Sequence, residues 1–147
     1  DLGNNAQLGK LLGLSWKETV GRPGELPLVA IGELTTPCDF QQLSALISGK
    51  LNRQVVAVEG RVPKIRRVAW CTGAAQNYFD LAVAAEADAY ITGEISEPSA
   101  HIARESGVHF FSAGHHATER YGVQAVGEYL AGKFGIKHEF VDIDNPA

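Results

Sequence analysis

The chain has 147 residues, 45% of them hydrophobic and 20% charged, the balance of a single soluble globular domain with enough apolar material for a core. A net charge of −4 argues against a nucleic-acid surface, which needs a basic patch. No apolar run approaches the roughly 18 residues that span a bilayer, and no leader peptide is visible, so the reading is a cytoplasmic protein without membrane contact.

Asn4 and Asn5 read as N-cap residues before a short helix over residues 6–12, which Gly13 closes. Residues 15–25 hold Gly21, Pro23 and Gly24 and read as a loop, and residues 28–34 as a strand. Residues 36–40 then open a helix with Pro37 near its first turn, its apolar positions Phe40, Leu43, Leu46, Ile47 and Leu51 falling at helical spacing. A second strand covers residues 54–59. The basic run Lys64, Ile65, Arg66 and Arg67 reads as the solvated edge of the next strand.

From residue 65 strands and helices alternate: strands at 65–71, 88–92, 108–112 and 137–143, helices over 77–86, 97–105 and 115–133. The two cysteines, Cys38 and Cys71, lie too far apart for a C-x-x-C motif, and Cys71 reads as a buried thiol of a reduced protein. The expected fold class is therefore α/β, a mixed, largely parallel sheet with helices on its faces. We divide it into residues 1–64, a linker helix with a first α/β segment, and residues 65–147, an α/β segment carrying the last long helix. The chain opens at Asp1 and contains no methionine, as expected for the remainder of a longer protein.

Three turns each join a strand end to a glycine: Thr72-Gly73, Thr92-Gly93 and Ala113-Gly114. Parallel strands would bring these turns together at the carboxyl edge of the sheet, where α/β proteins gather their chemistry. His115 and Glu119 follow the third turn, four residues apart on one helical face. Val123, Val126, Leu130 and Phe134 continue that face as an apolar stripe, which predicts that the pair points inward at its open end. An imidazole and a carboxylate so placed suit one divalent ion, or a carboxylate bridging two. The same spacing also fits a plain hydrogen-bonded pair near a helix N-terminus, and two ligands alone do not complete a metal site. His116 lies about 100° around the helix and is the weaker ligand candidate. Glu94, in the second turn, is a candidate for a role beside the site. His101 is a polar residue early in the following helix, while His109 and His138 read as strand residues without a functional role.

The runs Val68-Ala69-Trp70-Cys71-Thr72-Gly73, Asp88-Ala89-Tyr90-Ile91-Thr92-Gly93-Glu94 and Gly114-His115-His116-Ala117-Thr118-Glu119-Arg120 closely resemble the Nif-three-like proteins, also named GTP cyclohydrolase type-two homologues, in their bacterial YbgI branch. The opening Leu2-Gly3-Asn4-Asn5 and the ending from Phe140 to Ala147 fit as well, so the likeness spans the chain. The resemblance implies two divalent metal ions per full-length subunit (iron, manganese or zinc), with His115 binding one and Glu119 bridging or binding both. It implies that Glu94 and His101 line the same pocket as catalytic residues. A His-His pair and an Asp that complete the family's ligand set would precede Asp1, so this chain would be the C-terminal part, with the N-terminal part of the fold absent. The implied activity is metal-dependent hydrolysis of a small molecule, a nucleotide or related heterocycle, in a homohexameric ring. The rival expectation is a non-catalytic metal-binding ring that works through partner contacts. A nucleotide-binding module is disfavoured because the glycine turns lack the Lys-Ser/Thr of a P-loop.

Overall fold

The structure is a computed structural model that describes residues 1–143, 145 and 146. Its elements are α1 (Asn4–Leu12), β1 (Leu14–Val20), β2 (Val29–Cys38), α2 (Phe40–Leu51), β3 (Val56–Val58) and β4 (Ile65–Cys71). A short 3-10 turn (Gln76–Tyr78) leads into α3 (Phe79–Ala84), followed by β5 (Ala89–Thr92), α4 (Glu97–Ser106), β6 (His109–Ser112) and α5 (His115–Phe134). Local chemistry fixes the helix starts. Asp39 caps α2 in a reciprocal capping box with Gln42, each hydrogen bond at 2.9 Å. Ser96 and Ser99 do the same for α4.

One six-stranded sheet, in the order β1-β2-β4-β5-β6-β3, carries these helices on both faces. The two-residue period of the strands sorts the core. Val68, Trp70, Ile91 and Phe111 meet α1, α2 and α5 on one side, while Ala69, Tyr90 and Phe110 meet α3 and α4 on the other. Phe79 stacks on Tyr90 at 5.6 Å and meets Phe110 edge-on at 5.0 Å. The α/β class stands, but the expectation of a largely parallel sheet is corrected. Only β4, β5 and β6 run parallel, whereas β1, β2 and β3 join antiparallel. The three parallel strands belong to the stretch where strand and helix alternate, which is where crossovers exist to make them parallel.

Other expectations are corrected too. The presumed loop over residues 15–25 contains β1, whose central residues are exposed, so no apolar alternation announced it; its β-forming Trp16, Thr19 and Val20 and its pairing to β2 decide the outcome. Residues 36–38 extend β2 and do not open a helix. Pro37 is tolerated there because the β2–β4 register breaks between Glu33 and Cys38, so its missing N–H costs no ladder bond. Asn4 and Asn5 do not cap α1, whose N-cap is Gly3. Residues 137–143 form no strand; they run back along α5, where His138 packs against Gly127. The stripe on α5 is not buried either: Val123 is 59% exposed and Phe134 63%, with Val126 and Leu130 also exposed. Only Ala117, Thr118 and Gly122 of α5 are buried, so the helix packs down through its first two turns and then presents its apolar face outward. No helix among the described residues is long and apolar enough to cross a membrane.

Candidate functional site

The carboxyl ends of β4, β5 and β6 are tied to one another past the last ladder bonds. Gly93 N–H donates to Gly73 O at 2.9 Å, and Gly114 N–H donates to Gly93 O at 2.9 Å. Thr92 and Ser112 reinforce the same carbonyls, their hydroxyls donating to Gly73 O at 3.1 Å and to Gly93 O at 2.9 Å. Thr118, fully buried, donates to His115 O at 3.0 Å and accepts from Gly73 N–H at 3.0 Å, locking the first turn of α5 to the β4 turn. So close an approach excludes side chains at two positions. A Cβ on Gly93 would lie 2.7 Å from His115 Cα. One on Gly73, whose φ is +71°, would lie 2.5 Å from Glu119 Oε1.

Onto this frame the turns project their polar side chains. His115 Nδ1 lies 2.7 Å from Glu94 Oε1, and Nε2 lies 3.1 Å from Glu119 Oε2. Thr72 Oγ1 sits 3.5 Å from the other oxygen of Glu119. Gln76 Nε2 braces the second oxygen of Glu94 at 3.5 Å, while its own Oε1 is buried without a hydrogen-bond partner among the described residues. The sequence-predicted trio of His115, Glu119 and Glu94 is thus brought together. Its members do not point into the core, however; their side chains are 39%, 39% and 43% exposed, at the mouth of the site. The inward orientation inferred from the α5 stripe is corrected with the stripe itself. His101 sits on α4, exposed, and makes no hydrogen bond or ion pair to the trio. His116 pairs with Asp142 at 3.3 Å. His109 is buried between Gly60 N–H, which it accepts at Nδ1, and Val62 O, so it serves the fold. Two cations of the basic run near residue 65 are paired in place: Arg67 with Glu18 at 2.8 Å and Arg66 with Glu33 at 3.6 Å.

The hydrogen bond to Glu94 is the main influence raising the His115 pKa above the ordinary imidazole value; desolvation opposes it, and the charge of Glu119 adds to it. The partners assign the proton. With Nδ1–H given to the Glu94 carboxylate, a neutral ring turns its Nε2 lone pair toward the Glu119 carboxylate, acceptor against acceptor. Two conditions make that contact favourable: protonation of the ring, or a cation shared by nitrogen and oxygen. This donor pair fits the imidazole–carboxylate chemistry of iron, manganese or zinc. Among the described residues no group of three or more His, Cys, Asp or Glu side chains is arranged to hold a metal ion, so the pair by itself falls short of a metal site. Burial pushes the nearby Cys71 thiol up, away from nucleophilic use. A cavity of about 400 Å³ opens over the pair, walled by Val123, Phe140, Val141 and Ile143.

Sequence reasoning missed four contributors. Asn5 accepts from Thr72 N–H at 2.9 Å and Asn4 from Gly122 N–H at 2.9 Å, stitching α1 to the β4 turn and to α5. Two successive asparagines where one cap suffices were the available signal. Thr118 and Gln76 gave none, since their roles arise only when distant turns meet.

A family model described as Duf34/NIF3 (NGG1p interacting factor 3) matches residues 1–146. Over all 147 residues the chain is 46% identical to the "GTP cyclohydrolase 1 type 2 homolog" of Pseudomonas aeruginosa, covering 58% of that protein. It is 47% identical to the relative of the same name from Haemophilus influenzae, covering 59% of it. The chain therefore spans a little under three fifths of the length of these curated relatives. Among solved structures, protein ybgI, described as of unknown function, superposes with a TM-score of 0.94 at 44% identity over 100% of this chain and 58% of its own. TTHA1606 from Thermus thermophilus shares the fold, with a TM-score of 0.77 at 21% identity over 95% of this chain and 54% of its own.

Proposed function

Because the chain belongs to the Duf34/NIF3 family, we propose that it contributes one imidazole and one carboxylate to a divalent-metal centre of a hydrolase acting on a nucleotide or related heterocycle. The observation that carries this reading is the Glu94–His115–Glu119 chain. A carboxylate that accepts the Nδ1 proton fixes the tautomer and ring plane of a metal-binding histidine and raises the basicity of its other nitrogen. That other nitrogen faces a second carboxylate 3.1 Å away. Nothing in the core requires two partly exposed acids to converge on one ring.

Divalent ions, when bound, supply a water of lowered pKa and polarise the electrophilic centre of the substrate. His115 presents Nε2. Glu119 offers one oxygen toward His115 and the other toward Thr72. Glu94 keeps its second oxygen near Gln76 and, being part-exposed, is the group able to take up and return a proton at Oε2. A relay through His101 has no supporting contact. Iron, manganese and zinc remain equivalent on this donor pair. A homo-oligomeric ring, the assembly the resemblance implies, is supported by the exposed apolar stripe on α5, which equally favours the second reading, a metal-binding scaffold without turnover.

Titration with manganese, iron or zinc tests the centre directly. The Glu119→Ala variant should bind metal at least about tenfold more weakly, and metal content equal to the parent's would remove the proposal. Metal binding with no hydrolysis across a panel of nucleotides would transfer support to the scaffold.

A further inference from the structure

Among the described residues a single buried side-chain polar atom lacks a hydrogen-bond partner, Oε1 of Gln76. Such an atom has given up its water for nothing, so an amide here needs a reason that packing does not supply. Leucine or methionine would occupy the same space without that loss. The other end of the amide supplies the reason. Gln76 Nε2 reaches Glu94 Oε2 at 3.5 Å, and Glu94 Oε1 lies 2.7 Å from His115 Nδ1. Exchanging the two ends of the amide would set Oε1 against a carboxylate oxygen, acceptor against acceptor, and strand an N–H in the buried position. The orientation seen is the one that serves Glu94.

The backbone around Gln76 is anchored on both sides. Ala75 N–H donates to Gly73 O at 3.0 Å, and the fully buried Tyr90 hydroxyl donates to Ala75 O at 2.7 Å. Burial pushes the Tyr90 phenol up, so this donor keeps its proton. Beyond Gln76, Arg22 donates to Asn77 O at 2.8 Å and stacks over the Tyr78 ring. Gly73 O receives Gly93 N–H as well, so the turn that carries Gln76 and the turn that carries Glu94 are tied through one carbonyl. The amide therefore meets Glu94 from a fixed base. Glu94 needs such help: its side chain is 43% exposed, and holding one geometry there costs it rotamer freedom against competing water. A donor on its outer oxygen narrows where the inner oxygen can be.

We infer that Gln76 is a positioning residue for the site. Its amide N–H holds the outer oxygen of Glu94, so that the inner oxygen keeps the His115 proton on Nδ1 and leaves the Nε2 lone pair facing Glu119. The value of this arrangement for metal binding rests on the metal-centre reading above. The hold on the ring does not.

The test compares the parent with Gln76→Leu and with Gln76→Met, which keeps the length of the side chain but has no donor. Nitrogen NMR of the His115 ring, in metal-free protein at a pH where the ring is neutral, reads its tautomer. The parent should be mainly Nδ1–H, and both variants should show a several-fold larger share of Nε2–H. Affinity for manganese or zinc should fall about tenfold in the variants, while Tm stays level or rises because the unpaired oxygen leaves with the amide. A residue that merely packs would not weaken the metal while leaving Tm intact. Should Gln76→Leu fail to fold, Gln76→Met carries the comparison. Tautomer shares equal to the parent's overturn the inference, and so does a loss of affinity that simply follows a fall in Tm. If the parent binds no metal, the metal-centre reading falls and the tautomer comparison still decides this one. Metal binding that is lost in Glu119→Ala, with no tautomer shift in the Gln76 variants, leaves the metal-centre reading standing and removes this one.

Discussion

Gly73→Ala separates the cost of a backbone conformation from damage to the site. Gly73 has φ +71°, and an added Cβ would meet Glu119 Oε1 at 2.5 Å, Glu119 Cδ at 2.9 Å and His115 Nε2 at 3.2 Å. Ordinary contact needs about 3.5 Å, so the carboxylate must retreat by roughly 1 Å. From a starting separation of 3.1 Å, that carries Glu119 Oε2 out of hydrogen-bonding range of His115 Nε2. A left-handed alanine also costs about 1–2 kcal/mol on its own. Gly13 supplies the control, because it too has φ +71° but has nothing within 4 Å. Gly13→Ala should therefore show the strain alone, a fall in Tm of about 2–8 °C. Gly73→Ala should show that fall and, in addition, a His115 titration midpoint that drops, since the negative charge helping to hold its pKa up has moved away. Metal affinity should drop by about an order of magnitude or more, the size of loss that follows when the surroundings of a metal-binding side chain are disturbed. NMR titration of the His115 ring and metal titration read both effects. If Gly73→Ala keeps the parent's His115 titration and metal affinity, or if Gly13→Ala alters them as much, the geometry of the pair does not govern the site.

Two further perturbations address the second carboxylate and its brace. Glu94→Gln removes the main influence raising the His115 pKa; the raised value in the folded state means that the charged ring adds stability below about pH 6.5, lost as pH climbs through the folded-state value. The variant should lose at most about 1 kcal/mol below that window, because both partners are well exposed, and nothing above it; denaturant unfolding across the window checks this, and a loss that persists at high pH would refute it. Gln76→Leu deletes an amide oxygen that is buried without a partner among the described residues, so stability should stay level or rise by up to about 1 kcal/mol. A loss above about 2 kcal/mol would mean that this oxygen is satisfied after all.

The legible part of this molecule was its local grammar. Glycine after an apolar strand marks where the chain must turn in little space, and the repetition of that signal at Gly73, Gly93 and Gly114 placed three turns at one sheet edge. The i, i+4 spacing put His115 and Glu119 on one face, and the structure keeps them there. What periodicity does not carry is the identity of the covering surface. Val123, Val126, Leu130 and Phe134 form an apolar stripe whether a sheet, another chain or water lies against it, so the step from stripe to burial failed. β1 was hidden for the converse reason. An edge strand exposed on both faces has no buried set to alternate, and its pairing with β2 is a long-range fact absent from any local window.

That failure bears on how the site works. Individually its polar contacts are weak, because each of His115, Glu94 and Glu119 keeps about two fifths of its side chain in contact with solvent, where water and salt screen the pairing. Burial therefore does not hold the trio. The backbone does: Gly73 O receives Gly93 N–H and the Thr92 hydroxyl, Gly93 O receives Gly114 N–H and the Ser112 hydroxyl, and Thr118 closes the circuit from His115 O to Gly73 N–H. Such a frame fixes the origins of the side chains while leaving their tips accessible, which suits groups that must meet an ion or a substrate. It follows that a buried residue with no chemistry of its own, Thr118 above all, controls the position of His115 more firmly than either of the carboxylates that touch it.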